Sequence, residues 1–411
     1  MNENITTINK AIITNNARGM NSTLNNGITI NNKLEEKKNK NYIYKYSKEE
    51  LKYDSLFVAA ERAKDFVNKS IEGILFNQTI LKHEKPKISV VIPVYNCGTT
   101  IKRAIRSIQN QNYTKFEIIL VNDFSTDNSS IVIKQLQKED PRIEIINNKK
   151  NMGTLYSRCI GVLSAKGKYI FPLDNDDMFL DKDVFYKVKS TAEKDNFDIV
   201  EFRAIESKGI NNFFKKRIAV AMFSHHTKGR VLYQPELSGF ALKPNEKLNR
   251  YHLSEVYIWA KCIKTEVYQK AVTQYGKERY SNYVITYEDV IINFIIFQIA
   301  ESFHYIPKYG ILRIFSGSSA YLHTSVNALN KYEMRLLDAV LDFSRNTFEG
   351  KKIAVNVAVK FLNNYGLGNT IKKEKYKILL KSILERIDKC EYISEEHKKI
   401  IREKSSKFKL N

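Results

Sequence analysis

Between Ile88 and Leu173 the chain switches repeatedly between two hydrophobic periods, and that alternation limits the folds open to it. Ile88 to Pro93 is a nearly unbroken β-rich run, whereas Thr100 to Gln109 places Ile101, Ala104, Ile105 and Ile108 on one helical face. The change recurs with a strand from Phe116 to Val121 and a helix from Ser129 to Gln137. A third strand, Arg142 to Ile146, leads to a helix from Thr154 to Ala165, and a fourth strand spans Tyr169 to Leu173. Strands so poor in polar alternation must bury both faces, so the expected architecture is α/β, a mostly parallel sheet flanked by helices.

The 411 residues, 43% of them hydrophobic, suffice for a large core with extensions. Residues 1–45 are rich in Asn and Lys and read as a disordered tail without the apolar core of a secretory signal. Apolar residues from Leu51 to Ile71 recur at helical spacing, predicting a helical extension over 46–86 that ends at Lys85-Pro86. The main domain is expected over 87–325, in halves 87–205 and 206–325, followed by a helical region over 326–411. Within its second half, Glu255 to Tyr268 and Tyr287 to about Ala300 read as helices, and Tyr309 to Ile314 as a strand.

The net charge of +22 is spread along the sequence without an arginine-rich block, which argues against nucleic acid as a partner. Phosphorylated metabolites or an acidic membrane surface touched peripherally fit the charge better. Cys97, Cys159, Cys262 and Cys390 lie far apart, excluding a zinc knuckle or disulfide framework, so the expected compartment is reducing and cytoplasmic. Val290 to Phe297 is apolar but falls well short of the ~20 residues that span a bilayer.

Chemistry gathers where strands end. In Leu173-Asp174-Asn175-Asp176-Asp177 an apolar strand runs into carboxylates that are costly unless something positive sits beside them. Asp174 and Asp176 alternate, so extended chain puts both on one side, where oxygen ligands can hold Mg2+ or Mn2+. The other reading is an acidic turn in which Asp177 caps the next helix. Asp123, directly after the second strand, either stabilises a turn or accepts hydrogen bonds from a nucleotide's base or ribose. Arg158 sits mid-helix; it is solvated, or its planar fork faces the crevice and holds Asp123 or the nucleotide. Glu288-Asp289 open an apolar helix, where a carboxylate either complements the helix dipole or serves as a base. Arg313 is a candidate phosphate contact or a residue of an alternating surface strand, and His323 either completes the metal shell or is an ordinary lone histidine that ligates nothing.

Val90-Val91-Ile92-Pro93-Val94-Tyr95-Asn96, the Asn122 to Asp127 turn, Asn151 to Gly161, Leu173 to Asp177 and Glu288-Asp289 occur in an order that resembles the family 2 inverting glycosyltransferases. The likeness is strong from Lys87 to Phe202 and weaker to about Tyr321. It implies a GT-A-like mostly parallel sheet with a Rossmann-like nucleotide-binding half. It also implies that Pro93, Tyr95, Asp123, Arg158, Asp174 and Arg313 bind a nucleotide-sugar, that Asp174 and Asp176 hold Mn2+ or Mg2+, and that Asp289 beside Glu288 is the base. The implied reaction moves one sugar from a UDP-sugar to a hydroxyl of a glycan, lipid or protein acceptor, with inversion. Processive members carry a Q-x-x-R-W signature that this chain lacks. Asn122, Phe124 and Cys159 replace a frequent Asp, Gly and Asn of the family, and Phe124 matters most because a bulky residue resists positive φ. A degenerate family member that binds the sugar nucleotide without turnover is the competing reading. A nucleotidyltransferase is disfavoured because Gly98 stands alone after the first strand, and a calcium loop starting at Asp174 fails because Phe179 and Phe185 hold its Gly and Glu positions.

Overall fold

The computed structural model describes residues 86–207, 257–282 and 288–314 as continuous blocks, with shorter pieces at 29–30, 44–45, 66–70, 220–222, 231–234, 242–245, 250–253, 335–336, 338–343, 374–391 and 393–406. The chain divides into two compact units, 1–62 and 63–411. In the first, the described residues form one short antiparallel pair, Thr29–Ile30 with Tyr44–Lys45. The rest of the predicted tail lies outside the described residues, as does most of the predicted helical extension; residues 66–70 of the latter are helical.

The second unit is built on a ten-stranded mixed sheet. Its first half follows the sequence pattern closely: β1 (Ile88–Val94), α1 (Ile101–Gln109), β2 (Phe116–Asn122), α2 (Ser129–Glu139), β3 (Ile143–Asn147), α3 (Thr154–Ser164) and β4 (Tyr169–Pro172). The four strands pair in parallel in the order β3-β2-β1-β4. Every residue of β1, β2 and β4 is buried, because alternate side chains enter two separate cores. Val91, Ile119 and Val121 pack with Leu155 and Val162 of α3, while Val90, Ile92, Ile118 and Leu120 pack with Ile101, Ala104 and Ile105 of α1. That two-sided burial is why these strands lack a polar stripe.

The second half departs from a parallel expectation. β5 (Met178–Phe179), α4 (Val184–Lys194), β6 (Ile199–Ser207), β7 (Val220–Met222) and β8 (Val231–Tyr233) precede a hairpin of β9 (Leu242–Asn245) and β10 (Arg250–Leu253). β11 (Lys261–Lys264) then inserts antiparallel between β4 and β6. The helix expected over Glu255 to Tyr268 is therefore wrong in its middle: Lys261–Lys264 is strand, and α5 starts only at Thr265, running to Tyr275. Tertiary pairing overrode the apparent period, since Lys261 and Lys264 enter the sheet beside Glu201 (3.1 Å) and Asp198 (2.7 Å). A short α6 (Lys277–Tyr280) precedes α7 (Glu288–Ile299), which matches the predicted apolar helix. β12 (Ser302–Ile314) is longer than the predicted strand and runs parallel to β6. In the C-terminal region the described helices include α8 (Glu374–Lys389) and α9 (Glu395–Ser405). Among the described residues, no helix is long and apolar enough to cross a membrane.

Entry into β4 depends on a close approach at Gly167. Its N–H donates to Ser89 Oγ (2.8 Å), and a Cβ there would lie 2.7 Å from the backbone of Ile88 and Ser89. Backbone cannot rotate away as a side chain can, so Gly167→Ala should lower the free energy of urea unfolding by about 1–3 kcal/mol. An unchanged denaturation midpoint would mean that the β1–β4 contact is not as close as described.

Candidate active site

The chain leaves β1 outward through β2 and β3, then crosses back to β4 on the other side of β1. Reversal of strand order opens a crevice at the carboxyl ends. The turns after β1, β2 and β4 bring Tyr95, Asp123 and Asp174 to that edge.

The first two turns are tied together. Asp123 N–H donates to the Val94 carbonyl (2.8 Å), Asn96 N–H to Ser125 Oγ (3.2 Å), Thr126 N–H to Asn96 Oδ1 (2.9 Å) and Gly98 N–H to Asp127 Oδ2 (3.0 Å). Two residues in this frame have left-handed backbone, Asn96 (φ 46°) and Phe124 (φ 61°). Asn tolerates that region; for Phe it costs about 1–2 kcal/mol. Phe124 thus adopts the conformation that its bulk was expected to resist, and the turn forms around it.

Asp123 is buried and already engaged. Its carboxylate accepts the N–H groups of Met152 and Gly153 (both 2.8 Å) and Asn148 Nδ2 (2.7 Å), which order the loop entering α3. With roughly four lone-pair sites on a carboxylate, it retains room for one further donor. Arg158 does not hold Asp123, which corrects that alternative. Its buried guanidinium instead points Nη2 at Asp174 (2.9 Å), Asp289 (3.5 Å) and Glu288 (3.9 Å).

The acidic turn is clamped by groups that sequence reasoning did not single out. Asn175 Nδ2 donates to the Pro93 carbonyl (2.9 Å) and Arg103 Nη2 to the Asp176 carbonyl (2.7 Å). Neither has a sequence signal, since Asn is ordinary in a turn and Arg103 occupies a polar position on α1. Asp177 caps no helix: β5 follows it, and its buried carboxylate accepts the Ile314 N–H (3.0 Å) at the end of β12. Asp174 and Asp176 remain partly exposed. Burial, then the charge of Asp174, pushes Asp176 up to about 6 despite Arg313 and Arg103. Arg313 lies over the stacked rings of Tyr257 (5.6 Å) and Trp259 (5.9 Å). His323 lies outside the described residues.

Glu288 and Asp289 occupy the first turn of α7. Burial and the Asp289 charge push Glu288 up to about 8, with Arg158 pulling the other way. Asp289 rises to about 6 through burial, moderated by Arg158 and by a hydrogen bond from the Ile258 backbone. Arg158 stays charged because its carboxylates outweigh its own desolvation.

Among the described residues, no three His, Cys, Asp or Glu side chains converge into a ready-made metal cage. A diphosphate-bound Mg2+ or Mn2+ needs only one or two carboxylates, its other ligands being water and phosphate. Asp174 and Asp176, crowded and mutually repelling at the crevice edge, fit that donor set.

The mixed sheet flanked by helices is GT-A-like. Residues 89–255 match the model of glycosyl transferase family 2, so that segment is similar to the family 2 glycosyltransferases. A chondroitin synthase of Pasteurella multocida (strain Pm70) is 34% identical over 155 residues, 35% of this chain and 16% of that protein. A hyaluronan synthase of Pasteurella multocida is 34% identical over 152 residues, covering 34% of this chain and 15% of the synthase. The matched segments thus span about a sixth of those relatives. Among solved structures, S. aureus TarS 1-349 in complex with UDP superposes with a TM-score of 0.55 at 14% identity, covering 78% of this chain and 88% of that one. The complex of the same protein with UDP-GlcNAc gives 0.54 at 15% identity, with 79% and 89% covered.

Glu288 and Asp289 retain protons in the fold at pH values where the unfolded chain, with carboxyl pKa values near 4, has lost them. Their contribution to stability is therefore present in full below about pH 4 and lost as pH rises through about 6 and about 8. Between pH 5 and pH 8 Glu288→Gln should lose less thermal stability than the ligand-free wild type. Parallel melting curves for the two proteins across that range would show that Glu288 titrates normally.

Proposed function

We propose that this chain transfers a single sugar from a UDP-sugar to an acceptor hydroxyl, with inversion and with a divalent cation. The observation that carries this reading is the Arg158 contact set, in which one guanidinium nitrogen lies within 2.9 Å of Asp174 and 3.5 Å of Asp289. A diphosphate-facing carboxylate and a base candidate thus belong to one ion cluster. UDP is taken as the donor nucleotide because TarS, of the same fold, holds UDP and UDP-GlcNAc.

In this scheme the acceptor O–H gives its proton to Asp289 while its oxygen attacks the anomeric carbon. The anomeric C–O bond to the diphosphate breaks with its electron pair leaving on the β-phosphate oxygen, and a single displacement inverts the centre. Asp289, raised to about 6, is ionised at neutral pH yet basic enough to accept that proton. Arg158 holds Asp289 as an anion and orients it. When bound by Asp174 and Asp176, Mn2+ or Mg2+ supplies positive charge that stabilises the departing diphosphate. Arg313, braced by Tyr257 and Trp259, faces the same acidic turn and suits the phosphates.

A screen of UDP-sugars with an acceptor library, measuring UDP release with and without Mn2+, tests the reading. Transfer should need the cation, and Asp289→Asn or Asp176→Asn should reduce turnover by at least about 10²-fold while the fold persists. Wild-type-like turnover in either variant refutes the role given to that residue. Nucleotide binding without turnover under every condition would favour a degenerate, binding-only member.

A further inference from the structure

We infer that Phe124 is a nucleobase-contacting residue that forms, with Tyr95, a two-ring platform at the mouth of the crevice; this rests on the donor reading above. Among the described residues, several large apolar side chains are exposed, but Tyr95 (46%) and Phe124 (53%) are the two at the carboxyl ends of the parallel strands. Their backbones are adjacent at the sheet edge. Tyr95 follows Val94, Phe124 follows Asp123, and the Asp123 N–H is bonded to the Val94 carbonyl at 2.8 Å.

Neither ring is needed to build the turns. Side chains of Asn96, Ser125, Asp127 and Ser129 make the cross-links, with Cys97 N–H donating to Ser129 Oγ (2.8 Å), so the aromatic groups stand on a frame completed without them. Phe124 moreover occupies left-handed backbone (φ 61°), which Gly or Asn would take at lower cost. A ring left more than half exposed in strained backbone gains little for the fold. Strain of this kind is kept where a ligand repays it. A flat nucleobase is the ligand such rings suit, since every base offers a π-face to an aromatic side chain.

The test sets affinity against stability. Titrations of UDP and of inorganic diphosphate, both with Mn2+, are compared in wild type, Phe124→Gly, Phe124→Asn and Phe124→Tyr. Phe124→Gly and Phe124→Asn should raise the thermal midpoint by relieving strain, yet weaken UDP binding by roughly five- to a hundredfold, the equivalent of one lost base stack. Inorganic diphosphate affinity should be unchanged, and Phe124→Tyr should bind UDP like wild type. Undiminished UDP affinity in the Gly and Asn variants overturns the proposal while leaving the donor reading intact. Equal losses for UDP and diphosphate overturn it too, because they mean that the turn itself has failed. A wild-type chain that binds diphosphate but not UDP removes the nucleotide reading and Phe124's role together.

Discussion

The buried guanidinium of Arg158 is the interaction on which the rest of the crevice depends. It lies in α3, at 1% exposure, and reaches carboxylates from the turn after β4 and from the first turn of α7. A buried cation must be paired, and three carboxylates crowded together must be countered, so each side of this cluster makes the other tolerable. One positive charge among three acidic groups still leaves a surplus of negative charge. Burial, with that surplus added to it, raises Glu288 and Asp289, and the surplus makes the crevice receptive to a cation.

Around that cluster the strand ends are held by donors drawn from all parts of the domain. The acidic turn is fixed by Asn175 to β1, by Arg103 from α1 and by the Ile314 N–H of β12. Asp123 spends its carboxylate on the Asn148 to Gly153 loop, which sets the entry of α3 and hence the height of Arg158. Rigidity at the crevice edge is thus produced by hydrogen bonds to backbone, while Tyr95 and Phe124 are left outward.

The antiparallel strand β11 joins the two halves of the sheet. Its lysines enter a buried layer only because Glu201 and Asp198 receive them there. Directly before it, the segment from Tyr257 to Ala260 supplies the Ile258 hydrogen bond to Asp289 and the aromatic pair beneath Arg313. A strand pairing in the sheet therefore also sets the surroundings of the base candidate.

The local periods of residues 88–173 were enough to read β1 to β4 and α1 to α3, because two-sided burial and one-sided helical burial leave different apolar spacings in the chain. Acidic strand ends were equally legible, since carboxylates following an apolar run have few uncostly uses. The partner of Arg158 was not, because Asp174, Glu288 and Asp289 lie 16 to 131 positions away and only the crossing of α3, β4 and α7 brings them to one nitrogen. The strand at Lys261–Lys264 was hidden for the same reason, its lysines being admissible only opposite acids from another strand. Sequence alone thus determined which residue types stand at the strand ends; the tertiary structure decided which charges face one another, because pairing energy depends on separation in space and not along the chain.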